Sequence, residues 1–480
     1  MLQALRNALF LPELRNRILF TVFILTVYRL ISHIPVPGVN VEVLRAIKEG
    51  VNAGNGGVLG NLLGLLSLLS GGSVLNFSVL AMGVYPYVTA QLILQLLVPV
   101  IPRLNQLSQE GDQGRRQINR LTYIFTVPMS MLNAIGQVNI FEQIGSSVSQ
   151  GTLGRVMPNW WTFGDPKPEF ILPTLVTIIT MAAGTMFAIW LGELITERGI
   201  GQGLSIIIFG GIVSRLPFNI ATIFSGISPA ATLIAFVVLL LLLVVGIVVI
   251  QEAERRIQVQ YGRRVRGRRV MGGQGTHIPL KVNSTGMIPL IFAQALLVFP
   301  AVIASFFVNS TDASVQEGAN FIVQLFTGGR RSGGAPGWVQ VVYPIMLFLL
   351  VLGFTYFYTD VVMQQQNLAE NLQKQGGFIP GIRPGKSTDQ FVTRVMRRMT
   401  LVGALFLGVI AILPYIIDWI ASIQTFTGEP LLAFLQPLGA SGGQRLIDGA
   451  GMLILVGVVL DTMRQLEAQL MMRRYEGFIK

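Results

Sequence analysis

Few residues in this chain are of a kind that does covalent or metal chemistry. It has no cysteine and only two histidines, His33 and His277, in 480 residues. That removes disulfides, thiolate metal sites and cysteine nucleophiles, and it leaves too little for a histidine-rich metal centre. His277 sits in a basic loop, where a solvated histidine explains it. Gly381-Ile-Arg-Pro-Gly-Lys-Ser-Thr388 approaches a phosphate loop, but that motif needs a glycine where Pro380 stands. No strand is evident there, so it reads as a turn. Glu193, Asp360 and Asp461 fall at the ends of apolar stretches, and Arg29 lies inside the first. Ion-coupled carriers keep ionisable groups at membrane depth, and this chain nearly lacks them. No catalytic group, cofactor or metal is expected.

The chemistry that remains is charge recognition. Gln251–Asn283 holds Arg255, Arg256, Arg263, Arg264, Arg266, Arg268, Arg269 and Lys281 against Glu252 and Glu254. A topology signal with contact to anionic lipid would explain such a cluster. A large anionic partner such as ribosomal RNA would use it more fully, because arginine engages phosphate well. Val361–Met399 is a second long loop, broken by Gly376-Gly377 and by Pro380-Gly381-Ile-Arg-Pro-Gly385. A loop that long is usually functional.

These loops need a scaffold, and composition says what kind. The chain is 52% apolar and 12% charged, with 53 glycines. A soluble protein carries roughly 25% charged residues, so a soluble enzyme and a disordered chain are excluded. Seven stretches free of Asp, Glu, Lys and Arg stand out: 50–102, 121–141, 170–192, 220–250, 282–311, 332–359 and 399–417. Three weaker ones, 18–41, 199–214 and 449–460, bring the count of membrane spans to ten. No small-residue cleavage site follows a short apolar core near the start, so no cleaved leader is expected. The first seventeen residues read instead as an amphipathic surface helix.

The stretch 50–102 is long enough for two crossings, and the positive-inside rule decides between them. Ten spans put 26 Lys and Arg on one side and 8 on the other; an eleventh would leave 9 inside and 25 outside. So 57–70 enters the membrane without crossing, and 74–99 is span 2. Such a segment needs protein or a water-filled cavity around it. Five spans precede 220 and five follow. The fold class is therefore all-α: ten transmembrane helices in two inverted halves, 1–219 and 220–480, around a central path.

Motifs in order along the chain now carry a resemblance. They are Ile34-Pro-Val-Pro-Gly38, Ser70-Gly-Gly72, Tyr85-Pro-Tyr87, Glu110-Gly-Asp-Gln-Gly-Arg-Arg116 and Gly192-Glu-Leu-Ile-Thr-Glu-Arg-Gly-Ile-Gly-Gln-Gly203. Further on come Gly267-Arg-Arg269, His277-Ile-Pro-Leu-Lys-Val-Asn283, Pro380-Gly-Ile-Arg-Pro-Gly385 and Leu466-Glu-Ala-Gln-Leu-Met-Met472. Over nearly its whole length the chain resembles the SecY family, the large subunits of bacterial protein-conducting channels. The resemblance implies an hourglass pore blocked by a plug helix, with a lateral gate to lipid. It implies small SecE-like and SecG-like subunits, the SecA motor ATPase, the translating ribosome and signal-bearing polypeptides as partners. It also implies a bacterial plasma membrane location with both termini cytoplasmic.

Carried across residue by residue, the family pattern puts a pore ring at Val84, Val88, Ile208, Ile212, Ile291 and Ile454. Val84 and Val88, like Ile208 and Ile212, are four apart and share a helix face. An apolar throat suits a channel for unfolded chains, because it dewets without selecting by charge. The plug is expected at Asn61, Leu62, Leu65, Leu66 and Leu69. The lateral gate is expected between spans 2 and 3 and spans 7 and 8, at Gln95 and Gln294. Motor or ribosome docking is expected at Arg263, Arg264, Arg268, Arg269 and Arg383. The competing reading is a ten-span carrier of a small solute, which needs neither the large basic loops nor an uncharged path. A membrane-embedded enzyme would need acid–base or metal groups at depth, and no cluster of them is present.

Overall fold

The computed structural model describes residues 11–52, 73–98, 100–148, 155–158, 160, 168–214, 217, 229–261, 264–266, 269–271, 275–307, 312–327, 337–366, 368–421 and 449–479. In chain order the helices of the first half are α1 (Pro12–Ile31), α2 (Val41–Asn52), α3 (Tyr85–Leu97), α4 (Pro102–Gln109), α5 (Asp112–Val148), α6 (Ile171–Arg198) and α7 (Gly203–Val213). The second half begins with α8 (Pro229–Glu252). Strands β1 (Glu254–Tyr261), β2 (Arg264–Arg266), β3 (Arg269–Met271) and β4 (Gly275–Lys281) follow it. Then come α9 (Ile288–Ser305), α10 (Ala313–Thr327), α11 (Gly337–Gln366), α12 (Leu368–Lys374), β5 (Gly377–Phe378), α13 (Lys386–Ala421) and α14 (Gly449–Ile479).

Six helices among the described residues are long and apolar enough to cross a membrane: α5, α6, α8, α9, α11 and α13. They coincide with expected spans 3, 4, 6, 7, 8 and 9. Span 9 is longer than its charge-free stretch, because α13 starts in the polar loop at Lys386. The other four expected spans fall on α1, α3, α7 and α14. In α9 67% of the apolar window is buried, against 17% in α8. So α9 is central, and α8 turns Val238, Leu241, Leu242 and Val245 outward.

Three sequence boundaries need correction. Residues 12–17 are not a separate surface helix. Pro12 and Glu13 open α1, a favourable pairing at a helix start, and Arg15 and Arg17 ride on the span helix itself. Span 1 also stops at Ile31 rather than reaching Val41, where Ser32 N–H bonds back to the Tyr28 carbonyl. Span 2 is not helical from Val74. Residues 73–84 are turns around a short 3-10 segment, and the helix begins only at Tyr85. That irregular backbone is buried, with Val74, Phe77, Leu80 and Ala81 at most 1% exposed. Its polar groups are satisfied by protein. Val36 N–H donates to Phe77 O at 3.0 Å, Val79 N–H to Ile34 O at 3.1 Å, and Ser73 Oγ to Leu80 O at 2.7 Å. Non-helical backbone at membrane depth persists only under that condition.

The expectation of helices alone also missed two small sheets. One has the order β4-β1-β5, all antiparallel; β2 and β3 pair as a two-stranded ribbon. Glu254 pairs with Lys281 and Gln260 with Gly275, while Tyr261 pairs with Gly377 of the second loop. The two basic loops are therefore one unit. Its core is Ile257, Val259, Leu280, Leu372, Ile379, Val392, Val395, Met396 and Met399.

Candidate functional site

All six expected ring positions belong to, or pack against, one large apolar cluster that runs through the helices. Val84, Ile208, Ile291 and Ile454 are buried, and Val88 and Ile212 are partly buried at its margin. Val84 caps α3, and the first helical bond runs from Val88 N–H to Val84 O at 3.1 Å. The pair therefore lies along one face of α3, a helix that touches α9, the helix of Ile291. Ile208 and Ile212 lie on α7, which touches α14, the helix of Ile454. The ring set thus falls on two contacting helix pairs. No metal-binding group of His, Asp or Glu exists among the described residues. Asn61, Leu62, Leu65, Leu66 and Leu69 lie outside the described residues.

The contact of α3 and α5 with α9 and α11 forms a seam along the cluster. Tyr85 Oη donates to Ala295 O at 3.4 Å, a long bond across α3 and α9. Gly136 of α5 faces α9 so closely that a Cβ there would sit 2.8 Å from Val302 Cγ1. Small residues at helix contacts allow such approach in membranes. Phe292 of α9 meets Phe354 and Tyr358 of α11 edge-on, at 6.3 and 6.1 Å between centroids. Gln95 on α3 stands beside the Tyr358 hydroxyl, yet its buried Oε1 has no partner in hydrogen-bond geometry. Gln294 is 8% exposed on α9. Tyr85, Gly136 and Tyr358 bring the helices together here, and sequence reading gave none of them a role at the seam. Of these, only the glycine's size was a usable signal.

A second feature lies where α6 turns into α7. Ile200 N–H donates to Thr21 Oγ1 of α1 at 3.2 Å, and Gly201 N–H to Gln465 Oε1 of α14 at 3.0 Å. Gly203 N–H donates to Thr196 Oγ1 at 2.9 Å. Gly201 takes φ +80, a conformation open to glycine, and a Cβ on Gly203 would lie 1.8 Å from Gly192 O. This turn pins α1, α6, α7 and α14 together.

Contacts also gather the basic segments at one end of the helices. The Tyr123 hydroxyl of α5 donates to Glu193 near the α6 terminus. Arg464 of α14 pairs with Glu252 at 2.7 Å, where α8 meets β1. With the Thr21 and Gln465 bonds and the β1–β5 pairing, these contacts tie together α1, α5, α6, α14 and the two basic loops among the described residues.

In the loop unit, Arg383 is exposed on a turn between Gly381 at φ +81 and Gly385 at φ +97. Ile382 N–H bonds Ile379 O at 3.0 Å, and Thr388 Oγ1 donates to Arg383 O at 2.9 Å. The backbone is fixed and the guanidinium is left to project. Beside it on α12, Lys374 lies 2.8 Å from Glu370 and lowers that carboxyl from its ordinary pKa, by hydrogen bond first and charge second. Arg264 and Arg269 lie on β2 and β3, where Arg264 pairs with Met271 and Arg269 with Arg266. Arg263 and Arg268 lie outside the described residues. His277 is exposed on β4 opposite Gln258.

Comparison with known proteins brings these features under one family. The SecY family model matches residues 78–463. The chain is 40% identical to protein translocase subunit SecY of Thermotoga maritima over 480 residues, spanning all of this chain and 98% of that protein. It is 42% identical to the Thermus thermophilus protein of the same name, again over all of this chain and 98% of that one. Among solved structures it resembles a protein-conducting channel with a TM-score of 0.57 at 17% identity, covering 95% of this chain and 92% of that one. A SecY structure described for a plug domain that stabilises the closed channel matches with a TM-score of 0.55 at 18% identity over the same shares.

Proposed function

The chain belongs to the SecY family, and we propose on that premise that it is the pore-forming subunit of a protein translocation channel. It passes unfolded polypeptides across the membrane and releases apolar segments sideways into lipid. It works as a channel, not a catalyst. The seam supports this reading most directly: among the described residues α3 and α9 are bridged by one long hydrogen bond, and a buried Gln95 oxygen nearby is unpaired. An interface held so weakly in polar terms can part when an apolar signal helix competes for its surfaces. The throat is the ring Val84, Val88, Ile208, Ile212, Ile291 and Ile454, closed by a plug at 61–70. Gln95 and Gln294 line the gate.

The basic end faces the cytoplasm of a bacterial cell, with both termini on that side. There Arg383, Arg263, Arg264, Arg268 and Arg269 meet the SecA motor or the translating ribosome. SecE-like and SecG-like subunits cover outward-facing apolar helix surfaces. A small-solute carrier has no use for an exposed arginine on a braced turn.

Reconstitution tests the whole reading. Vesicles holding the channel with its motor should import a signal-bearing polypeptide and exclude a small solute. Solute uptake without polypeptide uptake would sink the proposal. Arg383→Glu should abolish motor-driven import while the protein still accumulates in the membrane. Deleting 61–70 should leave an inserted protein that leaks ions across a planar bilayer; a variant as tight as the parent would remove the plug assignment.

A further inference from the structure

We infer that a cleft between α11 and α13 is a binding site for the phosphate headgroup of one anionic phospholipid. The cleft measures about 560 Å³ and is lined by Tyr356, Asp389, Gln390, Thr393, Arg394, Arg397, Arg398 and Leu401. Three guanidinium groups face one carboxylate in that lining. Arg397 also reaches Asp360 of α11 at 3.5 Å, and its carbonyl accepts the Tyr356 hydroxyl at 3.5 Å. Arg394 and Arg398 are exposed and form no ion pair among the described residues. Two unspent arginines beside a third, already positioned, make a strong phosphate cradle, because guanidinium donors match phosphate oxygens in pairs.

The position along α13 identifies the phosphate as a lipid's. Arg394 and Arg398 are four apart, and the same face continues to Leu401, Val402, Leu405 and Val409, which are 46%, 53%, 42% and 45% exposed. Polar contacts thus give way to an outward apolar stripe within about one helical turn, about 5 Å. That boundary is where headgroups meet acyl chains. Tyr356 stands at the same level, as aromatic side chains do at membrane interfaces. A soluble anionic partner would engage the tip of the loop unit. Lys386, where α13 begins, lies about 18 Å further out than Arg398 along the helix. Basic pockets between membrane helices are suited to anionic headgroups. The site is separate from the throat, the seam and Arg383.

The test uses the full chain in membranes of phosphatidylglycerol and phosphatidylcholine, extracted gently and analysed for retained lipid by mass spectrometry. The parent should keep one phosphatidylglycerol that Arg394→Gln and Arg398→Gln each release about fivefold more readily. Neither variant breaks an ion pair, so both should fold. Arg394→Lys should retain the lipid better than Arg394→Gln. Arg255→Gln, on β1 outside the cleft, should retain it fully. Millimolar inorganic phosphate should not displace it. Equal retention by parent and both glutamine variants would overturn the inference. So would displacement by inorganic phosphate, which would mark a soluble-anion site. Loss of a bound protein subunit, with lipid retention unchanged, would overturn it as well.

Discussion

The α6–α7 turn and the α3–α9 seam are both places where helices from distant parts of the sequence meet, and they are built in opposite ways. At the turn, two backbone N–H groups take side-chain oxygens from α1 and α14, at 3.2 and 3.0 Å. Glycines there let backbone approach backbone, with no room for a methyl group at Gly203. At the seam, the cross-helix bond is a 3.4 Å contact from a tyrosine, and Gln95 Oε1 is buried without a partner. Interhelical hydrogen bonds in membranes average about 0.6 kcal/mol, whereas an orphaned buried polar group costs about 1–3 kcal/mol. Breaking the turn orphans backbone donors; opening the seam gives up only side-chain contacts, the long Tyr85 bond and the Tyr358–Gln95 approach. One side of the molecule should therefore hold while the other parts.

The sharpest way to break this contrast is Gly203→Ala. The added methyl would meet the Gly192 carbonyl oxygen at 1.8 Å and its carbon at 2.7 Å. Backbone cannot swing aside as a side chain can, so the cost should exceed the about 1–3 kcal/mol of ordinary overpacking. The expected result is failure to accumulate in the membrane, read by quantitative immunoblot. Parental levels would mean that the turn is not a fixed point. Thr21→Val should cost less, about 1–3 kcal/mol, by leaving Ile200 N–H without its acceptor. It keeps the side chain's shape, so a thermal-stability assay in detergent should show a lowered midpoint and no change in membrane topology.

Gln95→Leu acts at the seam with the opposite sign. It removes an unpaired buried oxygen and should favour the closed arrangement by about 1 kcal/mol, about fivefold in the open population. Import of a substrate with a weakened signal sequence should slow by that factor, while a strongly apolar signal should import at the parental rate. Faster import of the weakened signal would show that Gln95 holds the gate shut by a bond.

Much of this was legible in the sequence, and the reasons are physical. Membrane spans are long and charge-free, so α5, α6, α8, α9, α11 and α13 stood out from composition. The basic segments were assigned to one side by counting charges; the contacts through Glu193, Thr21, Gln465, Arg464 and Tyr261 join the elements that carry them. The buried turns of 73–84 were not legible, because an apolar run looks the same whether it is helix or protein-covered coil. The β1–β5 pairing was missed for a different reason. Ile257, Val259 and Tyr261 alternate in a strand pattern, but arginines on both sides drew the reading to charge. Their partner, Gly377-Phe378, is two residues long and more than a hundred positions away. Gln95 was proposed for the gate through family resemblance, and Gln294 as a polar residue in the middle of a span. Tyr85 and Tyr358 were missed because a tyrosine in a span says nothing about which helix it faces.

The smallest expected effect is the most discriminating. Tyr85→Phe removes the hydroxyl that reaches Ala295 O and keeps the ring in place. Ala295 O is a helix carbonyl with its own donor four residues on, so the change orphans no group. Only the cross-seam bond is lost, about 0.6 kcal/mol by the membrane average, or about threefold toward the open arrangement. Tyr85→Phe should therefore speed import of a weakened-signal substrate where Gln95→Leu slows it. Both lie on α3 but ten residues apart, far enough along the helix that their effects should add. The double variant should then import that substrate within about twofold of the parental rate. If Tyr85→Phe instead slows import, the hydroxyl is serving the open form. The seam would then not be the weaker of the two interfaces.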